Sequence, residues 1–372
     1  MNSRLRDFLT DLLRGVTMTK IFISDFAGKQ EIETVLLVKL INTMEGKDGK
    51  KYFNIILSDS SGEIESRLWQ YSTEVESEIT RGTFARVKGK LNFYQGKKQF
   101  IISSITKVNQ DQVDMDDFVM KAKADPEEMF KALTNIVEDL TDVYIKELLK
   151  NILGDAEISR RLKTWQAGKS IHHAYQSGLL EHILSCSQLG VILSKHYQVN
   201  VNYVVAGCIL HDLCKIYELT DGVNVEYTEE GKLVGHLVKG LEIVDRFSYR
   251  IKNFPYQLKL HLKHILLAHH GEYEYGSPKI PQTSEAYLVH LIDLMDSKMG
   301  TLDLIKKTDS TTGTWSGYIK HLDRIVYKSE LPFYPEYIEE EEEKLKKNPR
   351  SKSEVSPTTS LGKMLSGFKV SE

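Results

Sequence analysis

Residues 203–215 read YVVAGCILHDLCK, an apolar run that ends in an adjacent histidine and aspartate. Burying an imidazole or a carboxylate in an apolar helix costs free energy unless a partner satisfies the polar group. Adjacent residues of a helix point about 100° apart. His211 and Asp212 therefore cannot both face one core, but both can bind one ion beside a helix end. The stretch predicts a helix that ends at a metal ion.

Five further histidines and aspartates lie in or beside helix-like apolar stretches. Taken singly, each histidine is more often a hydrogen-bonded core residue than a ligand, but the whole set in this order is hard to explain in that way. Imidazole and carboxylate ligands suit manganese, iron, cobalt or magnesium better than a structural zinc. A set of this size can hold two ions bridged by a carboxylate. The further residues are His182, His236, His269, His270 and Asp293.

Length and composition set the limits of the fold. A chain of 372 residues exceeds one comfortable hydrophobic core, which favours two domains. The net charge of -3 argues against wholesale coating of nucleic acid, while local basic patches stay open. The three cysteines form no C-x-x-C pair, which fits a reducing cytoplasm rather than a disulfide framework. The longest apolar run, Tyr203–Leu210, is far short of the roughly 18 residues of a membrane span, so we expect no membrane partner.

From residue 19 to 110 the hydrophobic pattern is that of short strands. Two turn signals, Asp59–Gly62 and Tyr94–Lys97, separate strand-like runs. Five short strands with such turns predict a small barrel of the OB-fold type. The predicted strands are Glu33–Val38, Tyr52–Leu57, Ile64–Trp69, Thr83–Leu91 and Gln99–Ile105.

From residue 111 onward the pattern becomes helical. Asp125 followed by Pro126 is typical of a helix start, and residues 111–168 are interpreted as a helical linker. Residues 169–330 are interpreted as an all-α domain that carries every candidate ligand. Residues 331–372 form an acidic tail that we expect to be disordered, and residues 1–18 are an N-terminal extension, with Met18 as the expected start. The linker's apolar face is predicted to contain Met129, Leu133, Ile136, Leu140, Val143 and Leu148.

The order of these histidines and aspartates resembles that of the HD-domain metal-dependent phosphohydrolase superfamily. Over roughly residues 19 to 330 the chain also resembles the YhaM family of 3′-to-5′ exoribonucleases, which join an N-terminal OB-fold to an HD domain. The family usually has glycine in HDLGK, where this chain has Cys214, a thiol expected to crowd the site or make it sensitive to oxidation. The resemblance is carried by HHAYQSGLLEH, CILHDLCKIYEL, EYTEEGKLVGH, LLAHHGEYEYGSPKIP and LIDLMDSK.

The resemblance implies a centre of two divalent ions, with Mn²⁺ as the first choice and Mg²⁺, Co²⁺ or Fe²⁺ as alternatives. It implies that Asp212 bridges the two ions and is essential for catalysis. Such a centre activates a water for in-line attack on a phosphodiester. The implied ligands are His182, His211, Asp212 and Asp293 for one ion, and Asp212, His236 and either His269 or His270 for the other.

Four further residues are candidates for contact with the substrate. Lys215 is placed to offset charge on the phosphate, or else is a solvated lysine at a helix end. His172 and His173 either donate a proton to the leaving 3′ oxygen or contact a phosphate; the alternative is that they cap the loop at 168–170. Lys279 is a weaker candidate for phosphate contact, because a lysine in a surface loop needs no explanation.

The barrel segment contains two basic clusters with interleaved aromatic residues, the combination used by proteins that bind single strands. Strand alternation sends about half of the aromatics into the core. Phe53 and Phe100 are therefore assigned to the core, while Trp69 and Tyr94 are kept as stacking candidates. The basic residues are Lys47, Lys50 and Lys51 in one cluster, and Arg86, Lys88, Lys90, Lys97 and Lys98 in the other.

These observations predict a cytoplasmic, metal-dependent 3′-to-5′ exonuclease that degrades single-stranded RNA to nucleoside monophosphates. Single-stranded DNA stays open as a substrate, because a contact to the 2′-hydroxyl cannot be read from residues alone. Two alternatives remain: an HD phosphohydrolase acting on a small or cyclic nucleotide, and a non-catalytic nucleic-acid-binding adaptor. A homo-oligomer stays open as well.

Overall fold

The computed structural model describes residues 20–331, apart from 29, 95, 123, 169–172, 310, 312 and 321. An N-terminal five-stranded barrel is followed by a helical region, which confirms the predicted fold class. The predicted N-terminal extension, the acidic tail beyond residue 331 and His172 lie outside the described residues. The domain boundaries at 110, 168 and 330 stay predictions.

The barrel is closed, with strand order β1-β2-β3-β5-β4 and β4 returning to β1. All neighbouring pairs are antiparallel except β3 with β5, which is parallel. A short helix, α1, connects β3 to β4 and was not predicted, because its six residues bury no side chain. The strands are β1 Glu31–Glu45, β2 Lys51–Asp59, β3 Gly62–Leu68, β4 Phe84–Tyr94 and β5 Lys97–Val108, and α1 is Thr73–Glu78.

Alternation along the strands fills the barrel as expected. Phe53 and Phe100 are 1% and 0% exposed, which confirms their assignment to the core. Trp69 and Tyr94 are more than half exposed, so they remain available at the surface. The barrel is therefore a closed hydrophobic core that presents aromatic side chains outward.

The segment after the barrel folds into three helices that share one hydrophobic core with the helices that follow. Asp125 caps the first of them, accepting from the backbone N–H groups of Glu127 and Glu128. The predicted apolar face was wrong at Val143, which is 70% exposed. The helix ends at Glu138, and a new helix capped by Asp142 begins at Val143 with a different face inward. The helices are α2 Pro126–Glu138, α3 Val143–Leu153 and α4 Ala156–Leu162.

The remaining helices pack around one another and form the part of the chain that carries the candidate ligands. Within the described residues, no helix has the length and apolar character needed to cross a membrane. The helices are α5 Gly178–Tyr197, α6 Val201–Leu210, α7 Lys215–Glu218, α8 Glu229–Leu233, α9 Gly235–Ser248, α10 Tyr256–Ala268 and α11 Ser284–Thr308.

Candidate metal centre

Helix ends place three of the candidate ligands. His211 and His269 are the C-caps of α6 and α10, and His236 is the second residue of α9. At both C-caps the imidazole Nδ1 lies 2.9 Å from the carbonyl oxygen three residues earlier. The last carbonyls of a helix lack partners inside the helix. This hydrogen bond satisfies one of them and turns Nε2 of the ring away from the helix.

Four residues form the first cluster. His182 lies on α5, Asp293 on α11, and His211 and Asp212 at the end of α6. The Nε2 atom of His182 lies 3.1 Å from Nε2 of His211 and 3.4 Å from Oδ1 of Asp293. Oδ2 of Asp212 lies 3.5 and 3.6 Å from the two imidazole nitrogens. The four ligand atoms all lie within 4.8 Å of one another, which is the spacing that one ion requires.

His236, His269 and His270 form the second cluster, also with ligand atoms within 4.8 Å of one another. Oδ1 of Asp212 lies 3.6 Å from Nε2 of His236 and 3.8 Å from Nε2 of His269. The two oxygens of Asp212 therefore face different clusters. The structure places both members of the His269-His270 doublet in the second cluster, with His269 on the side of Asp212.

The hydrogen bonds of the histidine ring nitrogens show that these residues can bind a metal ion. Nδ1 of His182 and Nδ1 of His236 lie within hydrogen-bond distance of carboxylates, and Nδ1 of His211 and of His269 within hydrogen-bond distance of backbone carbonyls. Each ring therefore donates from Nδ1 and offers a lone pair on Nε2. Nε2 of His236 and of His269 is buried and has no hydrogen-bond partner among the described residues. Buried polar atoms are rarely left in this way, and a divalent ion is the partner that fits the donor set.

The pKa shifts of Asp212 and His269 agree with this fit. Burial acts to raise the pKa of Asp212, but the positive charge of Lys215, the nearest cation, outweighs burial, and the pKa is held well below its usual range. Burial lowers the pKa of His269 well below its usual range. A carboxylate that stays ionised and an imidazole that stays neutral are the forms that bind a cation.

Of the predicted substrate-contact residues, Lys215 and His173 lie beside the clusters. Nζ of Lys215 is 2.6 Å from Oδ2 of Asp212, so the lysine fixes the carboxylate that faces both clusters. The His173 ring lies between two carboxylates, with Nε2 3.0 Å from Asp296 and Nδ1 3.3 Å from Glu181. Lys279 is exposed and belongs to neither cluster.

Three residues of this region were not identified from the sequence. Asp296 and Glu218 accept hydrogen bonds from His182 and His236. Asp296 lies one helical turn after Asp293 in the same string, and that spacing was an available signal. Cys186 is the thiol beside the first cluster, with Sγ 3.7 Å from Nδ1 of His182. Cys214, expected to crowd the site or to make it sensitive to oxidation, has its side chain buried in the apolar core of the helical region and belongs to neither cluster.

The barrel presents a separate surface, here called the aromatic face, made of Tyr52, Arg67, Trp69 and Tyr94. The guanidinium carbon of Arg67 lies 5.8, 5.6 and 5.9 Å from the ring centres of Tyr52, Trp69 and Tyr94. Arg67 was not proposed from the sequence, and Tyr52 was one of the interleaved aromatic residues but was not kept as a stacking candidate. Trp69 and Tyr94, 54% and 53% exposed, leave ring faces available to other planar groups.

The predicted basic clusters divide between exposed and paired side chains. On β4, Lys88 lies 3.1 Å from Glu31 and Arg86 lies 3.8 Å from Glu33, both on the neighbouring strand β1. The charges of these two cations are partly offset by the acidic residues. Lys98 is half-buried. The exposed members of the clusters are Lys47, Lys50, Lys51, Arg86, Lys90 and Lys97.

Comparison with protein-family models gives two matches. Residues 179–298 match the HD domain, and this segment contains every residue of both clusters. Residues 35–108 match an OB-fold nucleic acid binding domain.

Several solved structures are similar over a minority of the chain. The second OB-fold domain of replication protein A from Methanococcus maripaludis is 19% identical over 26% of this chain and 100% of that chain, with a TM-score of 0.21. A replication protein A heterotrimer bound to single-stranded DNA is 20% identical over 24% of this chain and 66% of that chain, with a TM-score of 0.19. Asparaginyl-tRNA synthetase from Entamoeba histolytica is 14% identical over 38% of this chain and 37% of that chain, with a TM-score of 0.22. By its fold and its family matches, the chain joins an OB-fold barrel to a helical region that matches the HD domain, and this match indicates a metal-dependent phosphohydrolase.

Proposed function

We propose that this protein is a 3′-to-5′ exonuclease that hydrolyses the phosphodiester bonds of single-stranded RNA and releases nucleoside monophosphates. The observation that carries the proposal is the position of Asp212, whose two oxygens face two different His/Asp clusters. This is the arrangement of a carboxylate that bridges two ions, and paired ions suit in-line displacement at phosphorus. Single-stranded DNA is the second candidate substrate. The 3′-to-5′ direction is supported by the resemblance to the YhaM family, and a cytoplasmic location is supported by the cysteine usage, which fits a reducing compartment.

The residues of the two clusters would hold the ions, with Mn²⁺ as the first candidate. Two bound divalent ions supply an activated water and positive charge against the phosphate. The chain itself holds the ligands in place: Lys215 fixes the carboxylate of Asp212, and the Nδ1 hydrogen bonds orient the imidazoles. The proposed ligands are His182, His211, Asp212 and Asp293 for one ion, and Asp212, His236, His269 and His270 for the other.

The aromatic face would bind the single strand. The ring faces of Trp69 and Tyr94 can stack on successive bases, and Arg67 adds positive charge between the rings. Stacking on exposed rings requires unpaired bases, so this surface favours a single strand over a duplex. An enzyme restricted to small nucleotides has no use for such a surface, and this supports a polymeric substrate over the small-nucleotide alternative.

The test uses the full chain with Mn²⁺ and two single-stranded oligoribonucleotides, one labelled at the 5′ end and one at the 3′ end. The proposal expects a ladder that shortens from the 3′ end with the first label, and immediate release of a labelled mononucleotide with the second. Hydrolysis of a DNA oligonucleotide of the same sequence measures whether the protein prefers ribose or deoxyribose in its substrate. Hydrolysis of cyclic dinucleotides or nucleoside triphosphates without turnover of either oligonucleotide supports the small-nucleotide alternative. Binding without hydrolysis supports the adaptor.

A further inference from the structure

Two carboxylates behind the clusters, Asp296 and Glu218, each accept a hydrogen bond from one clustered histidine. We infer that they are positioning residues that set the affinity of two different ions. Asp296 acts through His182 on the ion of the first cluster, and Glu218 acts through His236 on the ion of the second. The inference rests on the proposed function only in needing a two-ion centre, and it applies whatever substrate that centre cleaves.

Asp296 is held by three donors. Its Oδ2 accepts from Nδ1 of His182 at 2.7 Å and from Nε2 of His173 at 3.0 Å, and its Oδ1 accepts from the hydroxyl of Ser185. The carboxylate is 11% exposed, so water competes little for it. A carboxylate that accepts the N–H of a ligating imidazole fixes the tautomer and the ring orientation and raises the basicity of the other nitrogen. Asp296 has the geometry to do this for His182.

Glu218 makes the corresponding contact in the second cluster. Its two oxygens lie 2.9 and 3.0 Å from Nδ1 of His236, and Oε1 also accepts from the backbone N–H of the same residue at 3.2 Å. That N–H is one of the donors that the first turn of α9 leaves without a helical partner. The carboxylate is 12% exposed. Glu218 therefore fixes both the ring and the backbone of His236.

Other clustered histidines donate from Nδ1 to backbone carbonyls rather than to carboxylates. His211 and His269 are held by the backbone carbonyls of Cys208 and Leu266, which no side-chain substitution removes. Each cluster therefore has one histidine with a removable carboxylate anchor, and its remaining histidines have backbone anchors, since Nδ1 of His270 lies 3.0 Å from the carbonyl oxygen of Tyr275. Loss of an outer partner of this type typically weakens metal affinity by about 10- to 100-fold. Removing Asp296 or Glu218 should thus weaken one ion each, and not the same one.

The experiment titrates full-length Asp296→Ala, Asp296→Asn, Glu218→Ala and Glu218→Gln with Mn²⁺ by calorimetry, without nucleic acid. Circular dichroism checks the fold. The control is Asp309→Asn, because Asp309 is a carboxylate of similar burial, 13% exposed, paired with Lys328. It lies thirteen residues beyond Asp296, about 20 Å along α11.

We expect the control to bind two ions like the wild type. Each alanine variant should lose affinity for one ion by about 10- to 100-fold, with a smaller loss in the amide variant, whose oxygen still accepts from Nδ1. Electron paramagnetic resonance should show the coupled Mn²⁺ pair replaced by an isolated ion in both cases. The double variant Asp296→Ala/Glu218→Ala should weaken both ions.

Unchanged binding of both ions in the alanine variants, or equal weakening of both ions by either one alone, would overturn the inference. If an alanine variant does not fold, the amide variant decides: selective weakening of one ion supports the inference, and wild-type binding contradicts it. Selective loss of ions in a protein that cleaves no oligonucleotide would leave this inference standing while the proposed function fails. If the protein is a nuclease but the Asp296 and Glu218 variants bind both ions as tightly as the wild type, the inference is overturned and the proposed function stands.

Discussion

The Nε2 atoms of His182 and His211 lie 3.1 Å apart at the meeting point of α5 and α6. Nδ1 of each ring is hydrogen-bonded elsewhere, to Asp296 and to the carbonyl of Cys208. The two Nε2 atoms therefore converge on one point, which is the geometry of two imidazoles that bind one cation.

Metal removal should lower the stability of the helical region. The ligands come from α5, α9, α11 and the ends of α6 and α10, so an ion binds the folded chain far better than the unfolded one. At a free concentration of 100 times Kd, each ion adds about 2.7 kcal/mol to the free energy of unfolding. Thermal unfolding followed by circular dichroism should show a lower Tm after treatment with EDTA and recovery with Mn²⁺. Identical melting curves would contradict a metal centre.

Asp212→Ala should abolish hydrolysis and leave oligonucleotide binding measurable. The variant removes the one side chain whose oxygens face both clusters, whereas the aromatic face lies on the barrel. A labelled oligoribonucleotide followed by fluorescence anisotropy and by gel electrophoresis reads both properties from one sample. Full activity of this variant would show that Asp212 is not the bridge.

Trp69→Ala and Tyr94→Ala should each weaken oligonucleotide binding by about 1–3 kcal/mol, the usual contribution of one stacked base. Turnover of a small phosphodiester such as bis(p-nitrophenyl) phosphate should not change, because neither ring belongs to the clusters. Tyr249→Ala is the matched control, since Tyr249 is an aromatic residue of the helical region that is 92% exposed. Equal binding by all three variants and the wild type would remove the aromatic face from the proposal.

Gly271→Ala should destabilise the protein and weaken the second cluster. Gly271 has φ +87°, and an added Cβ would lie 2.1 to 2.4 Å from ring atoms of His290. His290 in turn donates to the carbonyl oxygen of His269 at 2.9 Å, so displacing its ring disturbs a clustered residue.

The control for this substitution is Gly276→Ala. Gly276 has φ +82°, but an added Cβ meets no atom within 4 Å. The free energy of unfolding of Gly276→Ala should therefore fall only by the cost of a left-handed backbone at alanine, about 1–2 kcal/mol. That of Gly271→Ala should fall by more. Urea unfolding at one metal concentration measures both variants. Equal losses would show that the His290 ring moves aside without cost.

The pair of Asp309 and Lys328 should contribute a pH-dependent part of the stability. Burial raises the pKa of Asp309, but hydrogen bonds from Lys328 and Thr311 outweigh burial and lower the pKa below its usual range. A carboxyl with a depressed folded-state pKa stabilises the protein above its unfolded pKa, about 3.9, and loses that contribution as the pH falls through the folded value. Urea unfolding of Asp309→Asn should show a deficit that is constant above about pH 5 and shrinks below pH 4. A deficit independent of pH would contradict this assignment.

The parts of the fold that could be predicted are those that local pattern controls. Strand alternation sent Phe53 and Phe100 inward, and the Asp125-Pro126 pair marked a helix start. Val143 was misplaced because periodicity was continued across a break between two helices, each capped by its own aspartate. The hydrophobic periodicity of one helix does not continue into the next, because the break between the two helices changes which sequence positions face the core.

The site shows the same division. Residue type and order predicted the side chains that the structure gathers into two clusters, whereas the position of Asp212 between them was predicted only through the family resemblance. Asp296 and Glu218 were missed because their roles depend on which histidine each one meets across the fold. Arg67 was missed because an arginine two residues after a glutamate on a strand looks like an ordinary surface charge, until the packing brings three rings around it.

The parallel junction of β3 and β5 closes the barrel with only three residue pairs, Ser66 with Phe100, Arg67 with Ile101 and Leu68 with Ile102. Every other seam of the barrel is a longer antiparallel ladder. The barrel should therefore open locally at the junction of β3 and β5 before it opens elsewhere. Amide hydrogens at this junction should exchange faster than those of β1. Arg67 lies at this junction. A nucleic acid strand bound against its guanidinium would therefore hold β3 and β5 together, so that binding makes both the nucleic acid and the barrel more rigid.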